Sequence, residues 1–292
     1  MRSPVWSRAA CDSMRGVHRD VTASGVRLRV AEEGSGPAVV LLHGLFVDHS
    51  SWNDVTERLR HDFRLIAPDL PGFGESEKPP ASRFPYGVEA FAEAIADMYA
   101  GLGLGRAALV GHALGGAVAL TLAARHPELV ERLVLIDTLC YEAPLDLHRR
   151  IALMPFIGSL VFKQLLGRAA FRAYVRDAMY SGSDRAPNQR IEHYYEQFNS
   201  PAARGSALAT LRSTVDTRPI VAHTTRIQTP TLIVWGRRDK LYPAGLGQRL
   251  AREIRGAGFE VLDGGHAVHE ERPDRVAALL SQFLRAERPS LF

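Results

Sequence analysis

Apolar residues in this chain follow two patterns. Across 21–33 the sequence VTASGVRLRVAEE alternates around Ser24-Gly25, which predicts a β-hairpin that Gly34-Ser35-Gly36-Pro37 then ends. The next run, Ala38–Leu42 (AVVLL), is apolar with no alternation, the signature of a strand buried on both faces. The same signature recurs at 64–68, 107–111, 132–137, 231–236 and 259–262. Between these runs Val88, Phe91, Ile95, Met98 and Leu102 recur at helical spacing, as do Val276, Leu279, Leu280 and Phe283 behind a Pro273-Asp274 start. Strands alternating with helices predict an α/β fold with a mostly parallel, doubly wound sheet.

The alternation stops across 138–225, where the sequence turns helix-like and aromatic and is punctuated by prolines. A helical insertion between two strands of one sheet is expected to form a lid over the carboxyl ends of the strands, where such sheets bind ligands. The chain therefore divides into a disordered tail (1–20), a core α/β domain in two parts (21–137 and 226–292) and a lid (138–225).

Composition narrows the picture. A hydrophobic content of 46% and a charged content of 23% exclude a disordered or fibrous chain. The net charge of +4 is spread over interleaved acids and bases, so no nucleic-acid footprint is expected. Two cysteines, Cys11 and Cys140, make no disulfide framework and point to the cytoplasm. No apolar run is long enough for membrane insertion or for a secretory signal. Neither metal-ligand spacing nor a phosphate-binding glycine loop is present, so neither metal nor cofactor is expected. Oligomeric state stays open.

The chemistry concentrates in Gly111-His112-Ala113-Leu114-Gly115-Gly116, which follows a buried strand and opens a helix of small residues. That context matches the G-x-S-x-G turn, in which a nucleophile sits on a tight, strained strand-to-helix turn crowded enough to demand glycines. Here the middle residue is alanine. With His43-Gly44-Leu45-Phe46 after the first buried strand and Pro68-Asp69-Leu70-Pro71-Gly72-Phe73-Gly74-Glu75-Ser76 after the next, the chain resembles the α/β-hydrolase superfamily over about 21–286. Within it the likeness is to the single-lid esterases, carbon-carbon bond hydrolases, epoxide hydrolases and haloalkane dehalogenases.

The resemblance implies a catalytic set in chain order: Ala113 at the nucleophile position, Asp239 ending WGRRD as the acid, and His266 ending LDGGH as the base. Asp137, after LVLI, is an alternative acid. His269 is an alternative base that reads better as a surface or supporting residue. The backbone N–H groups of Leu45 and Leu114 would form an oxyanion hole. His43, Phe46, His112, Met154, Phe156 and Tyr180 are candidates to line the substrate pocket, within a lid whose Leu153, Ile157, Leu160, Phe162, Phe171, Tyr174, Met179 and Tyr194 suit an apolar small molecule. Arg149, Arg150, Arg168, Arg172 and Arg176 would reach a substrate carboxylate or, as is usual, simply face solvent.

Alanine has no attacking atom, and losing a serine nucleophile lowers turnover by roughly a millionfold. Leu114 after the nucleophile position favours serine over aspartate as the residue replaced. The expected parent activity is hydrolysis of a carboxylic ester or a related acyl or carbon-carbon bond. Both a deliberate serine-to-alanine change and a natural loss remain open. Two alternatives stand beside it: a non-hydrolytic enzyme (lyase, isomerase, cyclase or cofactor-free oxygenase) that uses His266 and Asp239 for proton transfer, and a ligand-binding pseudoenzyme.

Overall fold

The computed structural model describes residues 16–142, 154, 167–180, 188–222 and 224–286. Along them run eight strands: β1 (Val17–Ala23), β2 (Val26–Glu33), β3 (Ala38–Leu42), β4 (Arg64–Pro68), β5 (Ala107–His112), β6 (Val130–Ile136), β7 (Thr231–Gly236) and β8 (Gly258–Leu262). The helices of the core are α1 (Asn53–Leu59), α2 (Val88–Gly101) and α3 (Leu114–Arg125). Between β6 and β7 lie α4 (Arg168–Tyr174), which continues into a π-helical turn (Val175–Met179), then α5 (Asn188–Phe198), α6 (Pro201–Ser213) and α7 (Arg218–Val221). The last three are α8 (Ala244–Glu253), α9 (Val268–Glu271) and α10 (Pro273–Arg285).

The strands join one sheet in the order β1-β2-β4-β3-β5-β6-β7-β8. β1 with β2 and β2 with β4 are antiparallel, and every later neighbour is parallel. This explains the unbroken apolar runs: β5 and β7 are buried at every position because helices cover both faces. On one face α2 and α3 bring Phe91, Ile95 and Leu120 onto Leu109 and Leu133. On the other α1 and α10 bring Val55, Leu59, Val276 and Leu280 onto Val110 and Val134. Each large apolar side chain so buried is worth about 1.5–3 kcal/mol against exposure.

Two expected boundaries move. The first strand begins at Val17, inside the segment read as a tail, and pairs with β2 from Val17↔Glu32 to Ala23↔Val26. Its outer half, His18-Arg19-Asp20, is held by backbone pairing rather than by an apolar stripe, so nothing in its side chains announces a strand. β6 begins at Val130 and ends at Ile136, which leaves Asp137 beyond the strand at φ 45°.

The inserted helices show local reasons for their limits. Ser200 caps α6, its hydroxyl accepting from Ala203 N at 3.1 Å, with Pro201 in the first turn. No helix among the described residues is long and apolar enough to cross a membrane.

Candidate active site

The turn from β5 to α3 places Ala113 at φ 49°, ψ −111°, a conformation that costs a residue with a β-carbon about 1–3 kcal/mol. The surroundings enforce it. Ala113 N donates to Ile136 O at 3.0 Å, while its carbonyl accepts from Ala117 N and Leu139 N, each at 3.1 Å. A side chain at Gly115 would run into the Leu42 carbonyl, and one at Gly111 into the Gly115 carbonyl. These two glycines let the helix start pass against β3.

The His43-Gly44 turn abuts this elbow. A β-carbon on Gly44 would sit 3.2 Å from the Ala113 methyl and 2.8 Å from His112 Nδ1. Leu45 follows directly, and Leu114 opens α3, where the first amides have no intrahelical acceptor. Phe46, at φ 68°, meets Tyr174 and Phe198 edge-on at 5.5 Å and Phe171 at 6.2 Å. An aromatic cluster from α4 and α5 thus covers the turn.

His43 does not line a pocket. It is fully buried, with Nδ1–H donating to Gly44 O at 2.8 Å and Nε2 accepting from Leu70 N at 2.9 Å. Both ring nitrogens serve the backbone, and burial pushes its pKa down. His112 is also fully buried: its Nε2–H donates to His266 O at 2.9 Å, and its ring packs between His266 (4.9 Å) and His269 (4.3 Å). Burial, with His269 and His266 nearby, holds it neutral.

Asp239 and His266 come together from the ends of β7 and β8. His266 Nδ1–H donates to Asp239 Oδ2 at 2.9 Å, and Asp239 Oδ1 accepts from Leu241 N (2.8 Å) and Tyr242 N (2.9 Å). Both carboxylate oxygens are committed, which orients the aspartate and fixes the imidazole tautomer with its lone pair on Nε2. Asp137 is fully buried, its Oδ1 accepting from Gly236 N at 2.7 Å, while His266 Nδ1 is committed to Asp239. Burial, then the Asp239 charge, pushes the Asp137 carboxyl well up. It ties the turn after β6 to β7.

Other expected site residues are placed differently. His269 is not at the surface: it is fully buried against Trp52 (4.5 Å) and His112, and burial with His266 and Arg190 nearby drives it down to about 3. Met154 stands 49% exposed, so it is no wall of a closed pocket. Tyr180 is buried but turns its hydroxyl to Glu270 Oε2 at 2.5 Å. Phe156, Arg149, Arg150, Leu153, Ile157, Leu160 and Phe162 lie outside the described residues. Arg168 and Arg172 pair with Glu192, and Arg176 with Asp177.

Sequence reasoning missed a second polar group. Asp48, His49 and Asp69 each bring one ligand-type atom within 4.8 Å of the others. Their oxygens are in use: Asp69 Oδ1 accepts from His49 N and Nδ1 (both 2.8 Å), Asp69 Oδ2 from Glu75 N, Asp48 Oδ1 from Ser50 and Asp48 Oδ2 from His193 Nε2 at 2.8 Å. The group therefore reads as a hydrogen-bonded network better than as a cation cage. Burial would lower His49, but the charge and hydrogen bond of Asp69 outweigh it and raise the ring to about 9. Asp48 directly after HGLFV and Asp69 opening DLPG were the available signal, but nothing local told that they meet.

Comparison with known proteins sets this geometry in context. The family described as "alpha/beta hydrolase fold" matches residues 37–273. The 2-hydroxy-6-oxo-2,4-heptadienoate hydrolase of Pseudomonas putida is 31% identical over 93% of this chain and 97% of its own. Haloalkane dehalogenase 2 of Mycobacterium tuberculosis is 29% identical over 87% of this chain and 90% of its own. Among solved structures, a thermophilic esterase from Thermogutta terrifontis superposes with a TM-score of 0.76 at 26% identity, covering 92% of this chain and 98% of that one.

Proposed function

The chain belongs to the alpha/beta hydrolase fold family, and on that premise we propose that its site is built to hydrolyse carboxylic esters or related acyl and carbon-carbon bonds of small molecules, with Ala113 standing where the attacking serine belongs. One observation carries the reading. Everything around the absent hydroxyl is kept: the strained elbow, Gly44 packed against it, and the 2.9 Å Asp239–His266 pair.

With a hydroxyl at that position, His266 Nε2 takes its proton as the oxygen bonds to the substrate carbonyl carbon. The carbonyl oxygen becomes an oxyanion, to which the amides of Leu45 and Leu114 donate. Asp239 holds the imidazole tautomer and stabilises the imidazolium. Collapse expels the alcohol with the proton from His266. Water, deprotonated by the same ring, then releases the acid and restores the hydroxyl. The Ala113 methyl can do none of this, a loss of about a millionfold or about 8 kcal/mol of barrier.

Phe46, Phe171, Tyr174 and Phe198 support a largely apolar acyl or aryl group, with the inserted helices acting as its lid. The named relatives, a 2-hydroxy-6-oxo-2,4-heptadienoate hydrolase and an esterase among them, leave both bond types within the proposal. A second reading draws on the same pair: an intact acid-base couple without a nucleophile suits proton-transfer chemistry, in which His266 alone would act on substrate.

The test is hydrolysis of aryl esters of graded acyl length by the protein and by Ala113→Ser. The expected result is turnover that rises by up to about a millionfold in the variant and is lost again with His266→Ala. If Ala113→Ser turns over no ester and no vinylogous diketone, the hydrolytic reading fails. Proton-transfer chemistry or ligand binding then takes its place.

A further inference from the structure

Glu270 sits on α9, four residues beyond His266, with a fully buried side chain. A carboxylate there would be costly to desolvate unless donors met it. Three do, all from the inserted helices: Tyr180 Oη at 2.5 Å, Tyr194 Oη at 3.1 Å and Arg190 Nη1 at 3.1 Å, each donating to Oε2. Arg190 spans further, its Nη2 donating to Asp54 Oδ2 on α1 at 2.7 Å. The insertion is thereby fixed to two separate parts of the core through one guanidinium.

Backbone contacts join the same parts closer to the chemistry. The amide of Ala267, the residue after His266, donates to the Met179 carbonyl at 2.9 Å. Lys240 Nζ, beside Asp239, donates to the Asp177 carbonyl at 3.0 Å. Both acceptors lie in the π-helical turn Val175–Met179, where the wider winding displaces carbonyls from an ordinary ladder. The loops carrying the acid and the base each touch that turn, and Tyr180, which ends it, is one of the three donors on Glu270.

We propose that Glu270 is a positioning residue: by gathering Tyr180, Arg190 and Tyr194 onto α9 it holds Ala267 against the Met179 carbonyl, so that His266 meets Asp239 in register only while the insertion is seated on the core. The base is then set by the same contacts that close the site, and an unseated insertion leaves a misaligned imidazole. This deepens the proposed hydrolytic reading and rests on His266 as its base. The test reads the seat separately from the reaction.

The experiment uses the full chain with Ala113 in place, labelled uniformly with 15N. It follows the His266 Nδ1 proton by NMR and the exchange of the Ala267 amide, with the Leu109 amide on β5 as an internal reference. Glu270→Gln keeps the shape and removes the charge. It is expected to speed Ala267 exchange by about tenfold, the factor corresponding to one charge-assisted hydrogen bond, and to broaden or remove the His266 Nδ1 signal. Leu109 should not change. Tyr180→Phe should act in the same direction by a smaller factor, and it carries the test alone if Glu270→Gln fails to fold.

Added to Ala113→Ser, Glu270→Gln should lower kcat by about tenfold or more and leave KM nearly unchanged. Unchanged Ala267 exchange and His266 signal in the variants would overturn the proposal, as would changes that merely track Leu109. If Ala113→Ser proves inactive, the hydrolytic reading falls while the NMR measurements still decide whether Glu270 positions His266.

Discussion

Two groups of histidines border the strand ends, and burial treats them in opposite ways. His112 and His269 pack ring on ring beside His266; burial, with His269 and His266 near His112 and with His266 and Arg190 near His269, pushes both pKa values down, His269 to about 3. His49 and His193 are half-buried, and each faces an aspartate: Asp69 raises His49 to about 9, and Asp48 raises His193. Desolvation disfavours the charged ring in both places; a carboxylate at hydrogen-bond distance reverses the outcome. The first group stays neutral and packs like apolar rings. In the second, His49 carries charge at neutral pH, and the hydrogen-bonded His193–Asp48 pair pins inserted helix α5 to the core. His266 has neighbours of the first kind and a partner of the second: it packs 4.9 Å from His112 and donates to Asp239 at 2.9 Å.

The strongest way to break this contrast is to remove the aspartate from His266. In an Ala113→Ser background, Asp239→Asn should lower kcat for ester hydrolysis by about ten-thousandfold, because the amide would favour the wrong imidazole tautomer. A loss of only a few-fold would mean that another group, with Asp137 the nearest candidate, orients the ring.

The next effect is on stability against pH. His49 is raised in the folded state, so its contribution is complete below the unfolded value near 6.5 and is lost as pH rises through about 9, a change of at most about 3 kcal/mol. His269 acts in the other direction. Folded, it stays neutral down to about 3, while the unfolded ring takes a proton below about 6.5, so stability falls as pH drops below that point. Urea unfolding should show a maximum near pH 6.5 with losses on both sides. His49→Gln should flatten the alkaline side alone; an unchanged alkaline slope in that variant would contradict the assignment.

The smallest effect lies between the two groups. Ala113→Gly should raise stability by about 1 kcal/mol in urea titrations, because glycine adopts φ 49° without the strain of a β-carbon. A decrease would mean that the elbow is not strained in the way its torsions indicate.

What could be read from the chain follows from the range of the forces. The elbow is legible because Gly111, Gly115 and Gly116 answer to contacts within a few residues or with an adjacent strand. Asp239 and His266 are legible because each follows a strand within four residues, β7 a plain apolar run and β8 a short alternating one. His43 was misjudged because its ring closes on Leu70, 27 residues away; the burial of His269, a supporting residue packed on His112, was hidden because a ring on a four-residue helix gives no periodic signal. The seat of the insertion could not be read at all. It depends on His193 with Asp48 across 145 residues and on Arg190 with Asp54 across 136. Paired charges at such separations leave no pattern in a linear sequence.

The most direct test of the central claim, that Ala113 occupies the seat of a serine nucleophile, is detection of an acyl-enzyme. Ala113→Ser would be mixed with one equivalent of an aryl ester, quenched within milliseconds and analysed by intact mass and peptide mapping. The account predicts a mass gain of one acyl group, confined to the peptide spanning the elbow and absent from the protein with Ala113. No adduct on any reactive ester, or an adduct mapped elsewhere, would contradict it.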